Sequence, residues 1–270
     1  MRSIRPRSTP KTEPLNTDAY LRRLGAARPS APTAEALRAL TRAHLEQVPF
    51  ENLEIFLERR CPSLEPEDLY RKVVEQRRGG YCFELNKLFY LLLRELGYGC
   101  YCAAARILYR RTDPRPLSHR AVLVDTADEG RWLCDVGYGG PGPKGALRMA
   151  PGEQAVAGEI FSIREEGGVT VVYRHDPDGE HPLMSFRDAE VPEVDFDVLN
   201  GYFGYHPKAV FTQKLIVYRC LPDGMASLVA DQFTLTRQGE TVQSRKISGG
   251  EELAGLLEDC FGLELPSAAG

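Results

Sequence analysis

The sequence predicts an α+β fold with a helical first part, a β-rich middle part and a mixed last part. Apolar residues recur at helical spacing between residues 15 and 98. From residue 99 to 204, short β-prone segments alternate with Gly, Pro and Asp turns. Residues 205–270 combine strand patterns with a final helix. A chain of 270 residues, 43% apolar and 27% charged, is long enough to bury a sizeable core.

The helical part follows a proline-rich start. Residues 1–14 hold three prolines among basic and polar side chains, which predicts a disordered tail. In the second helix, Leu37, Leu40 and Leu45 repeat at the spacing of one helix face. We predict four helices after the tail, over residues 16–24, 33–47, 66–76 and 82–96.

The strands of the middle part are short and separated by turn signals, a pattern typical of a β-barrel or a β-sandwich. We predict six of them, over residues 101–109, 121–125, 132–136, 160–164, 169–174 and 183–186. The last part is predicted to be a small α/β unit. It has three strands over residues 214–221, 226–236 and 241–246, and a helix over residues 250–261.

Charge and hydropathy narrow the function classes. The formal net charge of −4 and the sequence pI of about 5.8 give no general reason to expect a nucleic-acid or anionic-membrane partner. No run of about 18 uncharged apolar residues is present, and residues 1–7 lack the apolar segment of a signal peptide. A cytoplasmic protein without a membrane span is therefore expected. The sequence carries no signal for an oligomeric state.

The seven cysteines indicate reduced thiols. Their number is odd, and their spacing is not that of a disulfide framework. Cys100 and Cys102 share one strand face without a second paired motif, so no zinc or other metal site is predicted.

Cys82 stands apart from the other cysteines. The segment RGGYCFELN, residues 78–86, places it after two glycines and at the start of a long apolar run. The first turn of a helix has unpaired backbone N–H groups and lies at the positive end of the helix dipole, where a thiolate is favoured. The pattern predicts a nucleophile whose acyl intermediates are stabilised by the N–H of Cys82 or Phe83, whereas a merely buried cysteine would be inert.

A cysteine nucleophile needs a base, and the chain has five histidines. His44, His175 and His181 are predicted to be solvated or capping side chains, and His206, which precedes a proline in a loop, is a candidate pocket residue. The fifth, His119, begins a predicted strand.

A predicted hairpin brings His119 close to an aspartate. If Asp125 pairs with Arg131 across the turn, His119 and Asp135 are diagonal neighbours on one face, about 7 Å apart at their Cα atoms. An aspartate that holds one imidazole nitrogen leaves the other to take the thiol proton. We therefore predict a catalytic triad of Cys82, His119 and Asp135, although His119 and Asp135 taken singly also fit ordinary structural roles.

Four short motifs follow one another along the chain: VPFENL at 48–53, RGGYCFELN at 78–86, Ser118-His119, and DVGYG at 135–139. In this order and spacing they resemble the arylamine N-acetyltransferase family, from about residue 16 to residue 266. The resemblance implies a helical bundle over 15–98, a β-barrel over 99–204 and an α/β lid over 205–270. It also implies a cysteine-proteinase-like triad on the three residues already predicted.

The resemblance implies a ping-pong reaction. Acetyl-CoA, the expected co-substrate, gives its acetyl group to the cysteine as a thioester, and an arylamine, arylhydroxylamine or hydrazine then takes it. Phe50, Tyr138 and Phe211 fall in the acceptor pocket, where flat apolar side chains suit an aromatic amine. Phe50 and Phe211 taken singly fit a plain core role equally well. Ser118 and Gly139 are expected to contact the CoA.

Arginines near the strand of the predicted base are a candidate site for the CoA phosphates, or else a solvated face. They are Arg106, Arg110, Arg111, Arg115 and Arg120.

Other classes of function are also compatible with these residues. A transglutaminase-like or cysteine-peptidase-type enzyme also uses Cys, His and Asp in this chain order, although the motifs at 48–53 and 78–86 argue against it. Some relatives of the acyltransferase scaffold close macrolactams from carrier-bound thioesters. A non-enzymatic module with Cys82 structurally buried is the third alternative.

Overall fold

The computed structural model describes residues 15–265, so the tail predicted over residues 1–14 lies outside the described range. Within that range there are eight α-helices: α1 (Thr17–Leu24), α2 (Ala34–Gln47), α3 (Leu53–Phe56), α4 (Pro66–Tyr70), α5 (Cys82–Glu95), α6 (Glu193–Tyr205), α7 (Val210–Gln213) and α8 (Gly250–Leu256). Helices α4 and α8 each continue into a π-helical turn, over Arg71–Glu75 and Leu257–Phe261.

The first helices begin where the sequence provides caps. Asn16 accepts the N–H of Ala19 at 3.1 Å, and Thr33 accepts the N–H of Ala36 at 3.3 Å. Capping pairs donors that the first turn leaves free, so α1 and α2 start one residue after these side chains. The four helices predicted in the first part are confirmed, the third as α4 with its π-helical turn.

Thirteen strands within the described range form two antiparallel sheets. They are β1 (Phe50–Glu51), β2 (Gly99–Ile107), β3 (His119–Thr126), β4 (Gly130–Leu133), β5 (Leu147–Arg148), β6 (Gly152–Val156), β7 (Glu159–Glu166), β8 (Val169–Asp176), β9 (Gly179–Phe186), β10 (Ile216–Leu221), β11 (Gly224–Val229), β12 (Gln232–Arg237) and β13 (Glu240–Lys246). The six strands predicted for the middle part are present, and β5 and β6 are additional to them.

The larger sheet is a nearly closed barrel. Its eight strands follow the order β5-β4-β3-β2-β9-β8-β7-β6, and the two edge strands, β5 and β6, contact each other. The side-chain amide of Gln154 on β6 bonds both the N–H and the carbonyl of Arg148 on β5, each at 2.7 Å. A side chain thus bridges the seam in place of a backbone ladder. Of the two architectures predicted, the barrel is confirmed.

The smaller sheet joins distant parts of the chain. Its order is β1-β10-β11-β12-β13, and Phe50 on β1 pairs with Tyr218 on β10. The single strand predicted over 226–236 is wrong, because the chain reverses between β11 and β12. Ala230 adopts a left-handed conformation there, with φ of 56°.

Helix α6 lies in the part predicted to be β-rich. Phe196 on this helix is buried, whereas Val194 and Val198 are 64% and 70% exposed. Apolar side chains on several faces remove the amphipathic period by which a sequence reveals a helix. The helix ends at Tyr205, so the predicted boundary between residues 204 and 205 falls in its last turn.

Helix α5 lies at the centre of the main core. It packs against α1 and α4 from the first part and against β2 and β3 of the barrel. Leu85, Leu88, Phe89 and Leu92 are completely buried. Each such burial stabilises the fold by about 1.5–3 kcal/mol, which holds α5 firmly against β3.

His44 is a core residue, so its prediction as a solvated or capping side chain is wrong. It is completely buried, and its Nε2 lies 2.8 Å from the Tyr20 hydroxyl. Burial, aided by the positive charge of Arg23, lowers the pKa of His44 to about 3. The ring is therefore neutral at neutral pH and packs edge-on against Phe89.

All seven cysteines are free thiols, as predicted. Across residues 15–265, none of the helices combines the length and the apolarity that crossing a membrane requires.

Candidate active site

Cys82 is the first residue of α5 and is 2% exposed. The two glycines before it are required by close contacts. A Cβ on Gly79 would lie 2.1 Å from the carbonyl oxygen of Pro49, and one on Gly80 would lie 2.9 Å from the Glu84 carboxylate. The chain can therefore enter α5 along this path only because both side chains are absent.

The start of α5 keeps two backbone donors unpaired. Glu84 accepts the N–H of Tyr81 at 3.1 Å, which caps the helix. The N–H groups of Cys82 and Phe83 find no acceptor in the part of the chain that the structure describes. These groups and the helix dipole favour negative charge at or near the Cys82 sulfur.

A buried charge network, here called the Lys72 network, lies beside this helix start and comprises Glu51, Glu54, Lys72, Arg78 and Glu84. The Lys72 ammonium lies 2.7 Å from Glu84 and 2.9 Å from Glu54, and Arg78 lies 2.9 Å from Glu51. Burial raises the pKa of Glu84 to about 7 against the opposing charge of Lys72. Burial also acts to raise the pKa of Glu51, but the charges of Lys72 and Arg78 lower it overall.

His119 and Asp135 form a buried hydrogen-bonded pair. His119 Nε2 lies 2.5 Å from Asp135 Oδ2. Strands β3 and β4 pair Asp125 with Arg131, which confirms the predicted register. Because β4 ends at Leu133, Asp135 lies just beyond the ladder rather than within it.

The Cys82 sulfur is the second partner of the imidazole. Burial acts to lower the pKa of His119, but Asp135 and then Cys82 raise it to about 10. Asp135 holds Nε2, so Nδ1 is the ring nitrogen that remains for the sulfur. The sulfur also lies 3.8 Å from the carbonyl oxygen of Ser118. This arrangement can move a proton to and from a nucleophilic sulfur.

A small pocket of about 40 Å³ adjoins Asp135. Phe50, Tyr138, Tyr218 and Gly139 are among its walls. Gly139 has a φ of +69°, and a Cβ on it would lie 2.8 Å from the Tyr218 ring, so the turn needs glycine. Phe211 does not line this pocket; it packs against Phe50 with ring centroids 6.0 Å apart.

Known proteins are similar to this chain in sequence and in fold. A family model described as N-acetyltransferase matches residues 33–269. A curated arylamine N-acetyltransferase / N-hydroxyarylamine O-acetyltransferase from Salmonella typhimurium is 36% identical over 252 residues, which cover 91% of this chain and 88% of that protein. The chain belongs to the arylamine N-acetyltransferase family. As a member of that family it is an acetyltransferase, and the resemblance of its four motifs is confirmed.

Solved structures of arylamine N-acetyltransferases have the same fold. The Salmonella typhimurium structure has a TM-score of 0.87 and 32% identity, covering 92% of this chain and 90% of that chain. The Mycobacterium marinum structure in complex with CoA has a TM-score of 0.88 and 28% identity, covering 94% of this chain and 95% of that chain. The predicted α+β fold is confirmed. These relatives do not favour the macrolactam or transglutaminase-like alternatives.

The basic cluster predicted for the CoA phosphates of an arylamine N-acetyltransferase is not one surface. Arg120 is completely buried, and its Nη2 lies 2.9 Å from Glu193. Arg110 is exposed but is already paired with Asp176 and Asp178. The prediction is wrong for Arg120, because successive side chains of a strand face opposite sides of the sheet and this one lies under α6.

A larger cleft of about 820 Å³ adjoins the small pocket. Gly140, Lys144 and Tyr218 line both spaces. Arg42 and Arg174 also line the cleft, and Arg174 is paired with Glu159 of the same wall.

One group of potential metal ligands occurs within residues 15–265: Asp176, Asp178 and His181. Arg110 bonds both carboxylates, so positive charge already occupies their oxygens. A cation would have to displace this arginine, and the cluster adds no metal to the site.

Two residues of the site, Asn86 and Tyr218, receive no role from the sequence pattern. Asn86 lies one helical turn after Cys82, and its side chain reaches Asp135. The i, i+4 spacing from Cys82 is the available signal for it. Tyr218 lies far along the chain on β10, and no spacing rule connects it to Phe50, whose ring centroid is 6.0 Å away.

Proposed function

We propose that the enzyme transfers an acetyl group from acetyl-CoA to an arylamine, an arylhydroxylamine or a hydrazine, by a ping-pong mechanism through a thioester on Cys82. The observation that carries this proposal is the buried line of Cys82, His119 and Asp135, with the imidazole 2.5 Å from the carboxylate. The Salmonella relative's name, which includes both arylamine and N-hydroxyarylamine acceptors, supports these acceptor classes.

In the first half-reaction, the Cys82 thiolate attacks the thioester carbonyl carbon of acetyl-CoA. A new carbon–sulfur bond forms, and the bond to the CoA sulfur breaks as the tetrahedral intermediate collapses. The leaving CoA thiolate takes the proton held by His119, so charge is balanced and CoA departs as a thiol. Exchange between a thiol and a thioester has little intrinsic driving force, and a poised thiolate therefore serves both directions.

In the second half-reaction, the amine nitrogen attacks the acetyl carbon on Cys82. The neutral His119 imidazole accepts a proton from the attacking nitrogen, and the carbon–sulfur bond to Cys82 breaks. The thiolate and the imidazolium are restored together. Asp135 stabilises the imidazolium and holds the ring in one orientation throughout.

The unpaired N–H groups at the start of α5 are the proposed oxyanion donors. Those of Cys82 and Phe83 lack acceptors among the residues that the structure describes. Both lie beside the Cys82 sulfur, within the first turn of α5, where they can donate to the acyl oxygen on which the intermediate's negative charge develops. An acetyl-enzyme structure with the carbonyl oxygen bound elsewhere would refute this assignment.

The acceptor and the donor enter from adjoining spaces. Phe50 and Tyr138 line the small pocket and present apolar surface for a flat ring, with Phe211 packed behind Phe50. For CoA we propose the larger cleft, with Ser118 and Gly139 as contacts near the reacting sulfur. Support comes from the Mycobacterium marinum relative, whose structure contains CoA.

We infer that the enzyme works in the cytoplasm. We also infer that three parts of the chain contribute different residues to its active site. Residues 15–98 supply Cys82, and residues 99–204 supply His119 and Asp135. Residues 205–270 act as a lid, since Phe211 and Tyr218 from this part pack against Phe50.

Mass spectrometry of the intact protein tests the proposal. Acetyl-CoA alone should add one acetyl group to Cys82, and a subsequent arylamine should remove it. Cys82→Ser should show no such adduct. Wild-type protein that stays unmodified with acetyl-CoA, or an adduct that an arylamine cannot discharge, would contradict the mechanism.

A further inference from the structure

Asn86 connects the nucleophile helix to the other two triad residues. It lies on α5, one turn after Cys82, and its side chain is completely buried. Its Nδ2 donates to Asp135 Oδ1 at 2.8 Å and to the Arg120 carbonyl at 2.6 Å. Its Oδ1 accepts the N–H of Val136 at 2.9 Å. One amide thus ties α5 to β3 and to the segment that follows β4.

These partners determine which way the amide faces. Two oxygens, from Asp135 and Arg120, lie at Nδ2, and a single N–H, from Val136, lies at Oδ1. Rotating the Asn86 amide by half a turn would set oxygen against two oxygens and nitrogen against a donor. Only the observed orientation pairs every group.

The orientation of Asn86 determines that of the Asp135 carboxylate. Asp135 Oδ1 accepts from Asn86 and from the N–H of Gly137 at 3.0 Å. This leaves Oδ2 for His119 Nε2. A carboxylate held by two donors at one oxygen cannot turn away from the imidazole without leaving buried donors unpaired, which is unfavourable.

The segment that carries Asp135 lies very close to the first turn of α5. A Cβ on Gly137 would lie 2.8 Å from Cys82 Cα and 2.9 Å from Asn86 Nδ2. Gly137 therefore lets the segment carrying Asp135 lie directly on the first turn of α5. Any shift of this segment relative to α5 changes the spacing between the sulfur and the imidazole.

We propose that Asn86 is a positioning residue for acetyl transfer: it aims Asp135 at His119 and sets the distance between that pair and Cys82. The inference rests on the proposed function, since it assigns Asn86 a role in that chemistry. Asn86 itself touches none of the reacting atoms.

Alkylation of Cys82 by iodoacetamide, followed by mass spectrometry, tests the role without any acyl donor. Asn86→Ala should slow alkylation near neutral pH. It should also lower kcat for acetyl transfer on the order of 10²-fold, the effect of a small misplacement of reacting groups. The KM for arylamine should change little. The donor-free readout separates this test from the proposed function. If wild type fails to acetylate, the alkylation rates still report on Asn86.

Asn52 provides a matched control. It is also a buried asparagine whose amide makes three hydrogen bonds to the chain, to Phe211, Lys214 and Ile216, but it does not touch the triad. Asn52→Ala should lose comparable thermal stability while Cys82 alkylates at the wild-type rate. Equal alkylation rates in Asn86→Ala and Asn52→Ala would reduce Asn86 to a purely structural residue and overturn the proposal.

Asn86→Asp keeps the side-chain shape if removal of the amide prevents folding. It retains the acceptor for Val136 but replaces the donor facing Asp135 by an oxygen. We expect alkylation and kcat at least tenfold below wild type, in line with loss of a hydrogen bond to a charged group. Wild-type rates for both would overturn the proposal.

Discussion

Two buried polar clusters meet at the start of α5, and they differ in what surrounds them. Of the triad, Asp135 lines the small pocket, and the larger cleft adjoins that pocket. The Lys72 network is equally rich in coupled charges, but its carboxylates Glu51 and Glu84 are only 0% and 1% exposed. Shifted pKa values occur in both. We therefore expect a position beside a pocket, rather than a shifted pKa, to distinguish the cluster proposed for catalysis from the one that holds the helix.

The largest expected effect is the loss of kcat on substitution of a triad residue. Asp135→Asn should lower kcat on the order of 10⁴-fold, because an amide neither stabilises the imidazolium nor holds the required tautomer. Steady-state acetyl transfer to an arylamine measures this. Asp125→Asn, which loses an exposed ion pair with Arg131 in the same hairpin, is the control and should stay within about twofold. Substantial activity in Asp135→Asn would remove Asp135 from the mechanism.

A substitution in the Lys72 network should lower the free energy of unfolding rather than the rate of acetyl transfer. Lys72→Met leaves Glu84 buried without its cation, whereas Glu54 keeps Arg60, and loss of one partner of a buried pair destabilises by about 3–5 kcal/mol. Urea unfolding measures the change. Lys87→Met, whose partner Glu193 is 46% exposed, should lose no more than about 1 kcal/mol.

Alkylation of Cys82 in folded Lys72→Met sharpens the comparison further. A rate near wild type would keep the network in a structural role. A loss of tenfold or more would break the distinction, because the network would then act on the nucleophile as well.

Stability should depend on pH in two separate windows. The folded-state pKa of Glu84 is about 7 against an ordinary 4.5, and that of His119 is about 10 against 6.5. Since the folded state binds both protons more tightly, each group contributes stability that is complete below its ordinary pKa and is lost as pH rises through the folded pKa. In urea titrations, Glu84→Gln should flatten the curve between pH 4.5 and 7, and Asp135→Asn between pH 6.5 and 10. One variant that flattens both windows would show that the two clusters titrate as a unit.

The smallest expected effect concerns the pocket wall. The Tyr138 hydroxyl donates to the Leu183 carbonyl at 3.1 Å, away from the sulfur. Tyr138→Phe should therefore destabilise the fold by about 1 kcal/mol and leave kcat near wild type. Thermal melting and steady-state rates check this together. A loss of kcat comparable to that of Asp135→Asn would move the hydroxyl into the reaction.

Local sequence signals predicted much of the fold. Asn16 and Thr33 mark helix starts because capping acts within a few residues. The hairpin register followed from pairing Asp125 with Arg131, since side chains alternate strictly along a strand. By contrast, α6 escaped prediction because apolar residues on several of its faces hide the helical period.

The site was predictable to the extent that its members lie in short motifs. Cys82, His119 and Asp135 are brought together by the structure as the motifs and the hairpin indicated. Arg120 and His44 were misplaced because burial depends on which element covers a side chain, and α6 and α1 cover these two from a distance along the chain. Their burial is a property of packing.

By itself, the sequence determined the α+β class, the family motifs and the three side chains proposed for catalysis, because caps, glycine pairs and strand alternation act between near neighbours. Only the tertiary structure decided which polar groups hold those side chains in place. Asn86 meets Asp135 across 49 residues, and Tyr218 meets Phe50 from the other end of the chain. Such contacts depend on how whole helices and sheets pack, and no local pattern specifies them.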